Sequence, residues 1–265
     1  MTDDALPNRH WLRRVRALRD QAERERDGVC YVEGIRQVIA AYEGGHPLEA
    51  VLIEPRRLRS NVAWRTITAM RSAGTPVVEL TTGEFERISA RDNPVGIAAI
   101  IQWTPVTLAD LEVPANSFYL VTDGVSDAGN LGTLIRTADS LGASGIIVHG
   151  GVDPSHPNAL RASLGTAFRL PVSRAGSLYE ILEWAQHHTV QTVATSARAK
   201  QPAWQVDMAR STALLVGSEG EGLDKETINR CDETVLIPMA GTATSLNVGV
   251  AAGIILYEIQ RQRSS

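Results

Sequence analysis

The sequence predicts an α/β protein in which a small α/β domain precedes a larger domain built on a mostly parallel sheet. Two observations support this class. Short apolar runs alternate with segments of helical periodicity, which is the pattern of strands covered by helices on both faces. Near the C-terminus, an apolar run at 235–239 leads into a loop of small residues and a second apolar run at 246–259. Such a strand, loop and helix presents backbone N–H groups to a ligand.

The first domain is predicted to span residues 1–105. A helical pattern at 9–27 carries four apolar residues on one face: Trp11, Leu12, Val15 and Leu18. The elements that follow are a strand at 29–32, a helix at 34–42, a strand at 49–55, a helix at 61–73, and strands at 76–80 and 95–103. The Pro-containing stretch at 104–117 has little regular pattern, and we interpret it as the linker.

The second domain is predicted to span residues 106–265. Its strands are expected at 118–124, 145–150, 170–174, 190–197, 212–219 and 235–240. Its helices are expected at 130–143, 159–168, 177–188, 223–231 and 246–262. This order favours a mostly parallel sheet with helices on both faces.

The last helix is predicted to be buried and closely packed. Its small and apolar residues recur at helical spacing: Val248, Ala251, Ala252, Ile255 and Ile259. Ser245 stands where an N-cap belongs, and Asn247 follows in the first turn. Taken alone, this stretch is equally the ordinary end of an α/β sheet, so its function depends on other loops.

The composition is that of an ordinary globular protein, with 43% hydrophobic and 21% charged residues, and it excludes wholesale disorder. No apolar stretch reaches the ~18 residues of a membrane span. The N-terminus begins with acids and has no apolar core, so no secretory signal is expected. Cys30 and Cys231 are interpreted as reduced thiols of a cytoplasmic protein. The histidine spacing predicts no metal site.

Arginine dominates the basic residues, with 24 arginines and 2 lysines. Arginine suits bidentate phosphate contacts and base stacking, but a GC-rich genome produces the same bias. The polar face of the helix at 9–27 carries several of them: Arg13, Arg16, Arg19, Arg24 and Arg26. This face is either a solvated surface with i,i+4 ion pairs or a stripe that faces phosphates.

Two loops at strand ends stand out in the second domain besides the C-terminal one. In the first, Gly129 and Gly132 flank Asn130, and Arg136 follows in the helix. Taken alone, this loop favours a structural glycine turn with a surface arginine. The second loop, VGSEGEGL at 216–223, lacks the Lys and Ser/Thr of a phosphate-binding loop. Its two acids favour a ligand with positive charge or hydrogen-bond donors. Ligands of open α/β sheets bind where such loops converge.

Taken in order, the three loops resemble the signature motifs of the SpoU/TrmH family of RNA ribose 2′-O-methyltransferases, in the SPOUT class. The matches are N-x-G-x-x-x-R at 130–136, G-S-E-x-x-G at 217–222 and I-P-M…S-L-N-V at 237–248. RASLGTAFRLPV at 161–172 resembles a further family segment. The segments at 24–28 and 31–36 resemble the ribosomal-protein-like substrate-binding domain of many members. The motifs look closest to those of bacterial large-subunit ribosomal RNA guanosine methyltransferases.

The resemblance implies a C-terminal trefoil knot, S-adenosylmethionine as cofactor, RNA as substrate, and a homodimer with the active site at the subunit interface. It implies catalytic positions at Asn130, Arg136, Glu219, Ser245 and Asn247. Cofactor contacts are expected at Gly217, Ile237, Leu246, Thr195 and Met239. RNA contacts are expected at Arg161 and, on the N-terminal helix, at Arg13, Arg24 and Arg26.

The chemistry favours particular roles for two of these residues. A guanidinium stays protonated, so we interpret Arg136 as a clamp on a substrate phosphate that also stabilises the developing alkoxide, while phosphate or water takes the proton. Glu219 is either catalytic or structural, in which case it caps a loop or pairs across the dimer.

Two other classes compete with the methyltransferase. A non-catalytic RNA-binding protein of the same fold is disfavoured by the intact Arg136, Ser245 and Asn247. An oxidoreductase of Rossmann type is disfavoured by the missing glycine fingerprint. The expected substrate is large-subunit ribosomal RNA, with transfer RNA as the alternative.

Overall fold

A computed structural model describes residues 8–242 and 244–264. The chain forms two compact units: unit 1 comprises Met1–Thr104 and Ser155–Arg169, and unit 2 comprises Pro105–Pro154 and Leu170–Ser265. The first seven residues of the predicted first domain, Ala243 in the predicted C-terminal loop, and Ser265 lie outside the described residues. Unit 1 ends at the start of the predicted linker, but it also contains a segment that the sequence assigned to the second domain.

Unit 1 contains a four-stranded sheet in the order β1-β4-β2-β3. Its elements are α1 (Arg9–Ala17), α2 (Gln21–Asp27), β1 (Val29–Glu33), α3 (Ile35–Glu43), β2 (Leu48–Ile53), α4 (Asn61–Ser72), β3 (Val77–Glu79), α5 (Thr82–Ile88), β4 (Ile97–Gln102) and α7 (Pro157–Ala162). β4 runs antiparallel to both β1 and β2, whereas β3 runs parallel to β2. The elements therefore follow the predicted order, with two differences.

The first difference is that the predicted helix at 9–27 is two helices. α1 ends at Ala17, and Asp20 caps α2 by accepting a hydrogen bond from the backbone N–H of Ala22 at 2.9 Å. The second is α5, which the sequence interpretation missed. Thr81 and Glu84 form a capping box there, a signal that is visible in the sequence as T-x-x-E.

The segment Ser155–Arg169 packs within unit 1 because its polar and aromatic groups find their partners there. The Arg24 guanidinium donates to Ser155 Oγ at 2.9 Å, and Gln37 Nε2 donates to the Arg161 carbonyl at 3.0 Å. Phe168 packs edge to face with Trp103. The helix predicted at 159–168 ends early, since Leu164 and Gly165 have φ values of 54° and 94°.

Unit 2 is built on a seven-stranded sheet in which every pair is parallel, in the order β7-β6-β5-β10-β8-β11-β9. Its elements are β5 (Phe118–Asp123), α6 (Ala128–Ser140), β6 (Gly145–His149), β7 (Val172–Ala175), α8 (Leu178–His187), β8 (Gln191–Thr195), β9 (Gln201–Pro202), β10 (Thr212–Val216), α9 (Lys225–Arg230), β11 (Glu233–Leu236) and α10 (Val248–Arg263). This confirms the predicted class and most of its elements; the two-residue β9 was missed. The implied trefoil knot stays a prediction.

The last helix, α10, is anchored at both ends. Asn247, not Ser245 as predicted, is its N-cap: Asn247 Oδ1 accepts from the backbone N–H groups of Gly249 and Val250 at 2.9 and 3.4 Å. At the other end, the Arg263 guanidinium donates to backbone carbonyls that include those of Asn116 and Ser117. Ser245 is too early because the helical backbone begins only at Val248.

Small residues bring α10 close to α6. A Cβ atom at Gly249 would stand 3.3 Å from Thr133 Cγ2, and one at Gly253 would stand 3.4 Å from Thr137 Cγ2. Of the residues predicted to be buried, Ala251 is only half-buried. The predicted close packing of this helix is thus confirmed along one face.

The described part of the chain contains neither a membrane span nor a metal cluster. No helix in residues 8–242 and 244–264 is long and apolar enough to cross a membrane. The same part of the chain contains no group of three or more His, Cys, Asp or Glu side chains that could hold a metal ion.

Candidate active site

The three loops singled out in the sequence meet at the carboxyl edge of the seven-stranded sheet. β5 and β10 are neighbours, and β8 and β11 follow in sheet order. Because all these strands are parallel, the loops after β5, β10 and β11 leave the sheet on the same side.

The Glu219 carboxylate ties the loop after β10 to the start of α6. Glu219 Oε2 accepts from the backbone N–H and hydroxyl of Ser126 at 3.2 and 3.1 Å. Its Oε1 accepts from the backbone N–H of Asp127 at 3.3 Å and from Asn130 Nδ2 at 2.9 Å. A carboxylate with four donors is held in one orientation.

Asn130 connects this cluster to the third loop. Asn247 Nδ2 donates to Asn130 Oδ1 at 3.0 Å, while Asn130 Nδ2 donates to Glu219. Since Asn247 also caps α10, three of the five residues expected to be catalytic form one hydrogen-bonded chain across three loops. Both amide groups are oriented, because each side-chain oxygen and nitrogen has a defined partner.

This network sets the ionisation of Glu219. Partial burial acts to raise its pKa, but the hydrogen bonds from Asn130 and from the backbone N–H groups of Ser126 and Asp127 outweigh it and lower the pKa to about 2. Glu219 is therefore an anion at neutral pH, and a group of such low basicity is a poor proton acceptor.

Sequence reasoning missed two members of this network, Ser126 and Asp127. Asp127 caps α6, and its Oδ1 accepts from the backbone N–H of Asn130 at 2.7 Å. An acidic residue three positions before the asparagine, at the start of an apolar helical pattern, is the usual sign of such a cap. Ser126 carries no comparable signal, because its partner lies in a distant loop.

The expected cofactor contacts lie at the ends of three adjacent strands. Thr195 ends β8, Gly217 follows β10 and Ile237 follows β11. A Cβ atom at Gly217 would stand 2.0 Å from the carbonyl carbon of Gly222 and 2.2 Å from the Leu223 nitrogen. Only glycine fits there, so the loop folds back tightly on the strand end. Leu246 is half-buried and Met239 is 40% exposed.

Arg136 and Ser245, the other two expected catalytic residues, lie outside the network. Both are exposed. Arg136 is in the third turn of α6, because the helix begins at Ala128 and not at residue 130 as predicted. Within the described residues, no group accepts a hydrogen bond from its guanidinium.

The residues expected to contact RNA differ in their exposure and in their partners. Arg24 is only 3% exposed, and its guanidinium donates to Ser155 Oγ and to the carbonyls of Leu18 and Arg19. The side chain joins parts of unit 1, and this burial disfavours the predicted RNA contact. Arg13 and Arg26 are exposed, and Arg26 is paired with Glu23 and Asp27. Arg161 is half-buried.

Another polar pair lies at the same edge of the seven-stranded sheet, one strand away. His149 Nδ1 and Asp123 Oδ1, at the ends of β6 and β5, are 2.8 Å apart. The sequence interpretation did not single out either residue, because each occurs alone at the end of an apolar run.

Both units match known families. Residues 117–257 match the SpoU rRNA Methylase family, and residues 10–99 match an MRM3-like substrate binding domain. The first match covers more than half of the chain.

Three comparisons illustrate the similarity. A 23S rRNA (uridine(2479)-2′-O)-methyltransferase of Streptomyces viridochromogenes is 33% identical over 257 residues, which cover 94% of this chain and 88% of that protein. The 23S rRNA (guanosine-2′-O-)-methyltransferase RlmB of Escherichia coli strain K12 is 38% identical over 161 residues, 60% of this chain and 65% of the relative. The crystal structure of the SpoU methyltransferase AviRb from S. viridochromogenes with the cofactor AdoMet aligns with a TM-score of 0.88 at 31% identity, covering 96% of this chain and 98% of that one.

Proposed function

The chain belongs to the SpoU rRNA methylase family, and from that premise we propose that it transfers the methyl group of S-adenosylmethionine to a ribose 2′-hydroxyl of 23S ribosomal RNA. The observation that carries this proposal is the hydrogen-bonded chain Glu219–Asn130–Asn247, which joins the three motif loops at one sheet edge. The two relatives described above are named for methylation of uridine and of guanosine in 23S ribosomal RNA, so the identity of the target nucleotide is part of the test.

The carboxyl edge has the chemistry to hold the cofactor. The tight turn at Gly217 brings backbone groups to the strand end, while Ile237, Met239 and Leu246 add apolar surface beside it. Backbone donors and acceptors next to apolar side chains suit an adenosine with a cationic sulfonium group. S-adenosylmethionine, when bound, supplies an electrophilic methyl group. Thr195, at the end of the central strand of the three, is proposed to line the same site.

Glu219, Asn130 and Asn247 are proposed to position the loops. Their hydrogen-bonding groups are directed at one another, so they fix where Ser126, Gly217 and the start of α10 lie. Glu219 carries a negative charge beside the cofactor edge, and that charge complements a sulfonium. The chemical step then depends on orientation more than on proton transfer by these residues.

Arg136 is proposed as the residue that holds the substrate. Its exposed guanidinium has free donors among the described residues, which suits a bidentate grip on a phosphate next to the reacting ribose. The same charge stabilises the oxygen as it loses its proton to phosphate or water. The exposed Ser245 is proposed as a hydrogen-bonding partner of the same nucleotide. Arg136→Lys keeps the charge but loses the fork, so near-normal turnover in that variant would refute the clamp.

The protein is proposed to work as a homodimer in the cytoplasm. Val250, Ile254 and Tyr257 recur on one face of α10 and are 51%, 44% and 59% exposed. An unpaired apolar stripe of this kind favours an interface with a second copy. The cytoplasmic location follows from the proposed ribosomal RNA substrate.

The deciding experiment follows methyl transfer from labelled S-adenosylmethionine to undermodified total RNA, with ribosomal and transfer fractions separated. We expect label in 23S ribosomal RNA, and loss of that label with Arg136→Ala. Label only in transfer RNA would overturn the substrate. Cofactor binding without label in any RNA would favour a non-catalytic RNA-binding protein, the second candidate.

A further inference from the structure

One edge of the four-stranded sheet in unit 1 collects arginines from several segments of the chain. β1 ends at Glu33 and β2 ends at Ile53, while β4 begins at Ile97. The register pairs Glu33 with Ala98 and Ile53 with Ile97, so these three strand ends lie side by side. We call this place, with the five arginines around it, the arginine edge: Arg36, Arg56, Arg59, Arg91 and Arg161.

Three of these arginines come from segments at the start of α3. Arg36 lies in the first turn of α3, directly after β1. A Cβ atom at Gly34 would stand 3.3 Å from Arg91 Nη2, which places the Arg91 guanidinium against the turn between β1 and α3. The carbonyl of Arg161 accepts from Gln37 Nε2 at 3.0 Å, so Arg161 belongs to the same corner.

The loop after β2 supplies Arg56 and Arg59. It folds around Glu54, whose Oε1 accepts from the backbone N–H of Arg56 at 3.1 Å. Gly96, just before β4, lies so near this loop that a Cβ atom there would stand 2.7 Å from the Glu54 carbonyl oxygen. The loop is therefore fixed beside the start of β4, while the side chains of Arg56 and Arg59 are exposed.

The guanidinium groups of the arginine edge lack partners in residues 8–242 and 244–264. None of the five makes an ion pair or donates a side-chain hydrogen bond there. By contrast, Arg14, Arg24 and Arg26 in α1 and α2 do have partners. Their guanidinium groups donate to carboxylates, a hydroxyl or carbonyls. The nearby acids Glu33 and Glu54 are buried, at 6% and 1% exposure, and accept from local groups.

We propose that the arginine edge is the surface through which unit 1 holds the phosphate backbone of the RNA substrate. Five guanidinium groups that have no partner among the described residues, gathered from four segments, match the repeated anionic charge of an RNA strand. The inference rests on the proposed function and adds the surface that binds the substrate. It moves the main RNA contact away from the N-terminal helices, where the sequence placed Arg13, Arg24 and Arg26.

The test compares two double variants of the full-length protein. Arg36→Gln/Arg59→Gln removes two charges from the arginine edge. Arg71→Gln/Arg169→Gln removes the same charge elsewhere in unit 1: Arg71, in the last turn of α4, is paired with Glu79, and Arg169 is paired with Glu43 at the end of α3. Both arginines are exposed. Affinity for in vitro transcribed 23S ribosomal RNA is measured by filter binding over a series of salt concentrations, together with S-adenosylmethionine affinity and thermal unfolding.

We expect the edge variant to lose about tenfold or more in RNA affinity and to lower the slope of log affinity against log salt by about one per lost contact. The control variant should match the wild type, and both should bind S-adenosylmethionine normally. Equal losses in both variants, or no loss in either, would overturn the arginine edge while wild-type methyl transfer still upholds the function. A wild-type protein that methylates no RNA would instead overturn the function itself.

Discussion

Asn247 Nδ2 donates a 3.0 Å hydrogen bond to Asn130 Oδ1, joining the starts of α10 and α6 across 117 positions of sequence. The same Asn247 caps α10 through its Oδ1 atom. The Asn247 side chain thus caps the last helix and also orients Asn130, which donates to Glu219. Stability and site geometry depend on different atoms of this residue, so substitutions can separate them.

Asn247→Asp should retain stability and lose activity, whereas Asn247→Ala should lose both. Aspartate keeps the oxygen that caps α10 but lacks the donor to Asn130, while alanine removes the cap at a cost of about 1 kcal/mol. Chemical denaturation and methyl-transfer assays on both variants check this. If Asn247→Asp retained wild-type turnover, the bond to Asn130 would have no role in positioning.

Glu219 should contribute stability that is lost in acid. Its folded-state pKa of about 2 lies below the unfolded value near 4.5, so the contribution is present above about pH 4.5 and disappears as pH falls through about 2. Solvent screening of this exposed side chain limits the effect to about 1 kcal/mol. Unfolding free energies of the wild type and Glu219→Gln, measured across this range, should converge at low pH. A gap that stays constant with pH would contradict the prediction.

Gly217→Ala should impair cofactor binding, whereas Gly220→Ala in the same loop should not. An added Cβ at Gly217 meets the backbone of Gly222 and Leu223 at 2.0 and 2.2 Å, but at Gly220 it meets nothing within 4 Å. The first substitution must move the loop away from the strand end. Calorimetric titration with S-adenosylmethionine should show at least a tenfold loss for Gly217→Ala only. Equal affinities would show that the tight turn is dispensable.

Arg24→Ala should destabilise unit 1 by about 2–4 kcal/mol, because it removes charge-assisted hydrogen bonds at a buried site. Arg26→Ala, two positions along the chain, removes an arginine that is 63% exposed and should cost clearly less, because water screens its ion pairs. Denaturant unfolding of the two variants gives the comparison. A similar loss of unfolding free energy in both variants would show that the buried Arg24 contributes no more stability than its exposed neighbour.

The sequence predicted the parts of the fold that depend on local pattern. Apolar periodicity placed the strands and helices of unit 2, and the glycine-rich loops identified residues that meet at the carboxyl edge, such as Asn130 and Glu219. It failed where a distant partner decides the structure. Arg24 carries the pattern of a surface arginine, yet it is buried because Ser155, 131 positions away, accepts its hydrogen bond. Likewise Ser245 and Asn247 are both good caps by type, and the backbone selects the second.

The segment Ser155–Arg169 also limits how this protein can be recombined. Its Phe168, Arg161 and Ser155 complete unit 1, although both of its flanks continue into unit 2. A chimera that replaces only residues 1–104 would keep residues 155–169 of the original chain. The incoming residues would then have to pack against a segment from a different protein. Unit 1 is therefore built from two separate pieces of the chain, and a chimera that keeps this unit intact has to carry both.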